Sequence, residues 1–335
     1  MCDRRPMLYT RAQVLAAGTT DDELRGLIRS GSRTRLARGV YVDSADLDTW
    51  DEARYRLRVT ATAMRSDLAM THVSAASLHR LPLPGADLSE VHMMQVRYGG
   101  NRHRAQRHVH SGSISPDALT RVDGILATTV ARTLADVAKT QSRLTAVAAA
   151  DAALNQGLCT YEDIAEALRG IRRHRGAPRA RQAMALADRR AESPGETWTR
   201  LALGDGDLPR TELQIEVYDE TGRLVGTADG GYPELGMLWE YDGEAKYHRL
   251  LRPGQSTLDA ILKEKNREND FIELGYSVIR VVNDDQRQPA DLRGRVQRAI
   301  EATQRPGWLP PRGRWVVYDK TRPRRTPSER GQLGA

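Results

Sequence analysis

Three carboxylates and a lysine stand close together between Ala228 and Tyr247: Asp229, Glu240, Asp242 and Lys246. Leu213, Ile215 and Val217 are apolar at period two, Asp219-Glu220-Thr221-Gly222 is turn chemistry, and Leu224 to Asp229 returns as a second strand. A third strand, Leu235 to Asp242, follows the break at Tyr232-Pro233-Glu234. Side chains alternate faces along a strand, so Leu238, Glu240 and Asp242 share one face and Met237, Trp239 and Tyr241 the other. Two acids at the ends of adjoining, otherwise apolar strands repel unless a cation lies between them. The chemistry that such a site supports is a divalent ion that polarises a phosphodiester and lowers the pKa of an attacking water.

The flanking elements must hold those strands. Ser193 reads as an N-cap, with Pro194 at the first helical position and Glu196 at the capping-box position, opening a helix through Trp198, Leu201 and Ala202. After the acidic strand comes a helix from about Leu258 to Leu274, stopped by Gly275, and then a short apolar strand from Ser277 to Val282. The order is helix, three strands, helix, strand.

That order, with Asp229, then Glu240, then a nearby lysine, resembles the PD-(D/E)XK nuclease superfamily, and more narrowly a branch related to very-short-patch-repair endonucleases. The resemblance runs from about Ser193 to Asp284. It is carried by Ser193-Pro194-Gly195-Glu196, Asp229, Glu240-Tyr241-Asp242-Gly243, Lys246-Tyr247, Glu264-Lys265-Asn266-Arg267-Glu268 and Gly275-Tyr276-Ser277-Val278-Ile279-Arg280. It implies Mg²⁺ (or Mn²⁺) held by Asp229 and Glu240, with the Tyr241 carbonyl as a further ligand, Glu196 in or near the ligand shell, and Asp242 and Lys246 beside the reacting phosphate. One position departs from the pattern. The usual lysine lies two residues after the glutamate, where this chain has Asp242, so Lys246 would have to reach back to the developing negative charge. Plainer readings stand beside these: Glu196 as a helix cap, Asp242-Gly243 as a turn, Lys246 as a solvated charge.

The first forty or so residues carry a second signal. Thr10 caps a short helix through Val14 and Leu15 that ends at Gly18, and Thr20 with Glu23 makes a capping box for a helix bearing Leu24, Leu27 and Ile28 on one face. Gly31 stops it. Arg33, Arg35 and Arg38 surround a turn at Gly39, followed by the strand Val40-Tyr41-Val42. Two short helices and a basic hairpin read as a winged helix-turn-helix, with Arg25 and Arg29 on one side of the second helix and the wing arginines set for phosphates. The plainer reading is a solvated helix face in a small protein-interaction domain.

Leu15-Ala16-Ala17-Gly18, Arg35 to Val42, Thr71 to His79 and Thr128 to Asp136 resemble the AbiEi-type antitoxin family, over about the first half of the chain. The resemblance implies a winged helix joined to a second α/β domain, repression of the protein's own operon, and a toxin partner. Asp51 to Arg65 and Thr71 to His79 read as helices, and His72 and His79, two turns apart, as core or surface histidines rather than ligands. Val91 to Val96 and Gln106 to His110 alternate as strands, with Asn101-Arg102-His103-Arg104 as a basic loop between them. Alanine-rich helices follow over Val130 to Ala138 and Leu144 to Leu154, and Thr160 caps another. Arg172, Arg173, Arg175, Arg179, Arg181, Arg189 and Arg190 then form a run opposed only by Asp188, a solvated helix or linker or else the wall of a DNA channel, with Arg172, Arg173 and, further on, Arg267 as phosphate contacts.

Composition frames these motifs. With 28% charged and 39% hydrophobic residues over 335 positions, the chain reads as two or three globular domains. A net charge of +7 and a pI of about 9.6 favour an anionic partner, nucleic acid first. Cys2 and Cys159 lie far apart and without a CxxC or Cys/His ligand spacing, which argues against a disulfide framework and against a zinc site. No leader-like or membrane-length apolar run is evident, so the cytoplasm is expected. The expected fold class is α/β (α+β) and multidomain. It comprises a winged-helix domain over 1–45, an α+β scaffold over 46–168, a basic linker or helix over 169–192, a restriction-endonuclease-like αβββαβ core over 193–300 and a disordered tail over 301–335. The expected function is metal-dependent hydrolysis of DNA by a monomer or homodimer. The alternatives are a non-enzymatic antitoxin-type repressor with a degenerate nuclease fold, and a metal-dependent RNase.

Overall fold

The computed structural model describes residues 6–47, 51–95, 102–104, 106–112, 114–243 and 267–318. It is a mixed α/β structure with several helices and three sheets, and it divides into two compact units, Met1–Ala187 and Asp188–Ala335.

The first unit opens with β1 (Tyr9–Thr10), α1 (Arg11–Ala16), α2 (Asp21–Arg29), β2 (Arg33–Ala37) and β3 (Val40–Asp43). Both expected caps are present: Thr10 pairs reciprocally with Gln13, and Thr20 with Glu23. The strands form a sheet in the order β1-β3-β2, closed over Val14, Leu24 and Tyr41. Gly39, at φ +72°, makes the β2–β3 turn that a side-chain-bearing residue would strain.

A six-stranded sheet follows, built from β4 (Ala69–Met70), β5 (Val91–Gln95), β6 (Arg102–Arg104), β7 (Arg107–Ser111), β8 (Leu119–Val122) and β9 (Ile125–Thr128), in the order β6-β7-β5-β4-β9-β8. Pairs β5–β7 and β4–β9 are parallel and the rest antiparallel. Arg102 to Arg104, expected as a loop, is the edge strand β6; its backbone is satisfied by pairing with β7. Five helices accompany the sheet: α3 (Asp51–Ala63), α4 (His72–Leu78), α5 (Val130–Thr140), α6 (Arg143–Asn155) and α7 (Tyr161–Gly170). The alanines of α6 that are buried, among them Ala146, Ala149 and Ala153, let backbones approach closely. Within the arginine-rich run, Arg179 and Arg181 lie on α8 (Ala177–Met184), which buries Ala177, Ala180 and Ala183 and leaves these two arginines exposed.

The second unit is organised on a five-stranded sheet. It comprises α9 (Pro194–Gly204), β10 (Glu212–Tyr218), β11 (Leu224–Tyr232), β12 (Met237–Asp242), α10 over residues 267–273, β13 (Ser277–Val282), α11 (Pro289–Thr303) and β14 (Arg314–Val317). The order is β13-β12-β11-β10-β14, with β12–β13 parallel and the other pairs antiparallel. The expected alternation of β12 holds. Met237, Trp239 and Tyr241 pack with Leu203, Leu292 and Val296, whereas Leu238 packs with Phe271 and Tyr276 on the opposite face. Fully burying a side chain such as Trp239 or Phe271 contributes about 2–3 kcal/mol each. Gly195 fits α9 against the sheet, since a Cβ there would fall 1.9 Å from the Tyr241 ring.

Of the stretch expected to be a disordered tail, residues 301–318 depart from that reading, and 319–335 lie outside the described residues. Helix α11 continues to Thr303, and Arg314–Val317 pairs with β10 through Val317↔Ile215 to Arg314↔Tyr218. A strand of four residues among Pro, Gly and Arg leaves too little periodicity to show itself, but the exposed hydrogen-bonding edge of β10 supplies its partner.

Candidate functional site

Helix α2 presents Arg25 and Arg29 one turn apart on its exposed side. Arg25 pairs with Asp22 on that same surface. Arg33 does structural work: it donates to Asp43 at 2.9 Å and its guanidinium lies 5.3 Å from the Tyr9 ring centroid, bracing the hairpin. Arg29, Arg35 and Arg38 are exposed and make no ion pair among the described residues. Arg35 and Arg38 join Arg58 and Arg107 around a cleft of about 540 Å³, an arrangement of like charges that an anion would relieve. Arg172 and Arg173 are exposed after α7.

In the second unit the acids predicted to cooperate lie on three neighbouring elements. Asp229, on β11, accepts from the Tyr241 backbone N–H at 2.8 Å, which fixes it beside β12. Glu196, on the first turn of α9, is buried and accepts from the Glu192 N–H at 2.9 Å, the Ser193 hydroxyl at 2.8 Å and the Gln214 amide at 3.1 Å. Burial, and then the Asp229 carboxylate, push its carboxyl up to about 8. Gln214 was not anticipated. It sits in β10 between the pairs Leu213↔Gly230 and Ile215↔Ala228, hence across from Asp229, and holds φ +53° within a strand. Its one sequence signal is a polar residue interrupting an apolar run.

Glu240 and Asp242 are each met by an arginine of the chain itself. Buried Glu240 pairs with Arg267, on α10, at 2.8 Å; Asp242 pairs with Arg280 at 3.0 Å, and Arg280 also reaches Glu268 at 2.7 Å. Arg267, expected to meet phosphate, therefore spends its charge on Glu240. Lys246 lies outside the described residues. Glu196, Asp229 and Glu240 do not converge: the one set of three His, Cys, Asp or Glu ligand atoms within 4.8 Å of one another, among the described residues, lies elsewhere. Glu240 and Asp242 each lie against an arginine, which competes with any cation for the same oxygens.

Among the described residues, no helix is long and apolar enough to cross a membrane. Residues 69–186, from β4 to just past α8, match the family described as AbiEi antitoxin C-terminal domain. Two proteins of Mycobacterium tuberculosis, Uncharacterized protein MT2308 (strain CDC 1551 / Oshkosh) and Uncharacterized protein Rv2248 (strain ATCC 25618 / H37Rv), are each 33% identical to this chain over 190 residues, covering 56% of it and 67% of the relative.

Proposed function

The chain belongs to the family of these two mycobacterial proteins and carries an AbiEi antitoxin C-terminal domain, and from that premise we propose that it is a DNA-binding regulator of the antitoxin kind. In this reading α1 to β3 form a winged helix whose second helix, α2, enters a major groove, and Arg29, Arg35 and Arg38 hold phosphates. A toxin protein is its expected partner, and the cytoplasm its expected compartment. The observation that carries the proposal is the antitoxin-domain match at residues 69–186, with an exposed set of arginines on the elements that precede it. A gel-shift assay on duplex DNA from the gene's own promoter, against a scrambled duplex, tests it. Preferential retardation of promoter DNA supports regulation, and equal or absent retardation of both contradicts it.

A second reading is favoured by the placement of two acids, Glu196 buried on the first turn of α9 and Asp229 on β11, whose carboxylate adds to burial in raising the Glu196 carboxyl, a strain that a cation relieves. Together with the order of α9, β10 to β12, α10 and β13, this supports a PD-(D/E)XK-like unit. The ion pairs at Glu240 and Asp242 support that unit as a binding platform rather than a metal-dependent nuclease. Incubation of supercoiled plasmid or RNA with Mg²⁺ or Mn²⁺ separates these: scission that Asp229→Ala abolishes would establish the nuclease, and intact substrate the platform.

A further inference from the structure

We infer that His72, His92 and His110 form a binding site for one divalent transition-metal ion of the zinc type, in the first unit and independent of the proposed DNA-binding role. Strands β5 and β7 run parallel with His92 opposite His108 and Met94 opposite His110, and the two-residue period puts His92, His108 and His110 on one face. His72 arrives from the neighbouring strand, as the first residue of α4 directly after β4. One ring nitrogen from each of His72, His92 and His110 lies within 4.8 Å of the others, and His92 Nδ1 and His110 Nε2 are 2.9 Å apart. The His72 and His110 rings stack with centroids 4.0 Å apart. Tetrahedral zinc with bonds of about 2.0–2.1 Å spaces its nitrogen ligands by about 3.4 Å, so side-chain adjustment alone closes the set.

Two features beyond proximity point to a ligand. Thr71 occupies the N-cap of α4 yet its hydroxyl does not cap the helix. It stands instead 3.2 Å from Asp136 Oδ2 and 3.2 Å from His72 Nδ1. A hydroxyl has one proton; donated to the carboxylate, it leaves the oxygen to accept from Nδ1–H, which fixes the tautomer whose Nε2 lone pair is free to bind metal. A carboxylate that orients an imidazole through its far nitrogen is the usual support of a metal-ligating histidine. The second feature is the backbone of His72, at φ +51°, a left-handed conformation that the surrounding structure must impose on a residue with a side chain.

Charge and chemistry agree with this. Arg132 and Lys139, the cations of α5 beside the cluster, are both engaged by buried Asp136, at 2.9 and 2.7 Å. Three imidazoles and no carboxylate select zinc, cobalt or nickel over the oxygen-seeking Mg²⁺ and Ca²⁺. The ion would tie together the β4–α4 junction, β5 and β7.

The test uses the full chain without an affinity tag, stripped with a chelator and titrated with Co²⁺. The site predicts visible absorption of low-symmetry cobalt that saturates at one equivalent and is bleached by one equivalent of Zn²⁺. His92→Ala and His110→Ala should each weaken binding by about 100-fold, and Thr71→Val by about 10-fold through loss of ring orientation, each in protein shown to be folded by circular dichroism. His79→Gln, whose ring instead bonds the Thr128 carbonyl, should bind as the native chain does. Should the histidine variants fail to fold, the native protein still decides: long-range ¹H–¹⁵N spectra must show three imidazoles shifting on addition of Zn²⁺. Absence of one-equivalent binding by the native chain, shifts in fewer than three imidazoles, or unchanged affinity in folded His92→Ala and His110→Ala proteins would overturn the assignment.

Discussion

Arg267 forms an ion pair with the buried carboxylate of Glu240 at 2.8 Å, joining α10 to the centre of β12. The carboxylate at the heart of the acidic strand is thereby neutralised by the protein itself. Arg280 does the same for Asp242 on the parallel strand β13, where it lies in register with Glu240.

Removing Arg267 should therefore cost stability. In Arg267→Ala, Glu240 remains buried without its cation, and the partly exposed guanidinium limits the loss to about 2 kcal/mol. Arg267→Ala with Glu240→Gln should recover part of it. Urea denaturation of the single and double variants checks this; equal stability of Arg267→Ala and the native chain would remove the pair from the account.

The same pairing predicts that native protein, Asp229→Ala and Glu240→Ala all leave plasmid DNA and RNA intact with Mg²⁺ or Mn²⁺. Agarose electrophoresis of supercoiled plasmid reads the outcome directly. Scission by the native chain alone would show that Arg267 yields Glu240 to a metal in the presence of substrate.

Asp188 should contribute pH-dependent stability to the second unit. Burial raises its carboxyl, but hydrogen bonds from the side chain and backbone of Arg190 outweigh burial and hold it below the ordinary carboxylate value. The unfolded chain then binds the proton more readily. The contribution is complete above the unfolded carboxylate value of about 3.9 and is lost as pH falls through the lower folded value. Asp188→Asn should lower stability near pH 6 and narrow its gap to the native chain as the pH approaches 3. Urea midpoints at pH 3, 4, 5 and 6 measure this, and a gap that stays constant would contradict it.

The helix carrying Arg25 and Arg29 depends on its cap. Thr20→Ala removes the acceptor for the Glu23 N–H and one side of a reciprocal box, at a cost of about 1 kcal/mol. Thermal unfolding of the first unit should shift downward, whereas Thr20→Ser should be nearly neutral.

Local rules made much of this chain readable. Thr10 as a cap and the pair Thr20 with Glu23 mark two helix starts, and period two along Met237 to Asp242 assigns both faces of β12. What escaped depends on distance in sequence. Arg267 meets Glu240 only because α10 lies over the Leu238 face, and a charged residue on a helix reads equally as solvated. His72, His92 and His110 come from three elements whose adjacency follows from the sheet order, although His108 and His110 at period two on a strand were a visible trace. The edge strand β14 needed β10 to exist before its four residues had a partner.

The most direct test of the proposed role is fluorescence anisotropy of a labelled promoter duplex, titrated with the native chain and with an Arg29→Ala, Arg35→Ala, Arg38→Ala variant across a salt series. If these arginines hold phosphates, the variant should bind at least 10-fold more weakly at 100 mM salt, and its log–log salt slope should be shallower by about 3. Equal affinity and equal slope in the two proteins would contradict the account, because the exposed arginines of α2 and the β2–β3 hairpin would then have no part in DNA binding.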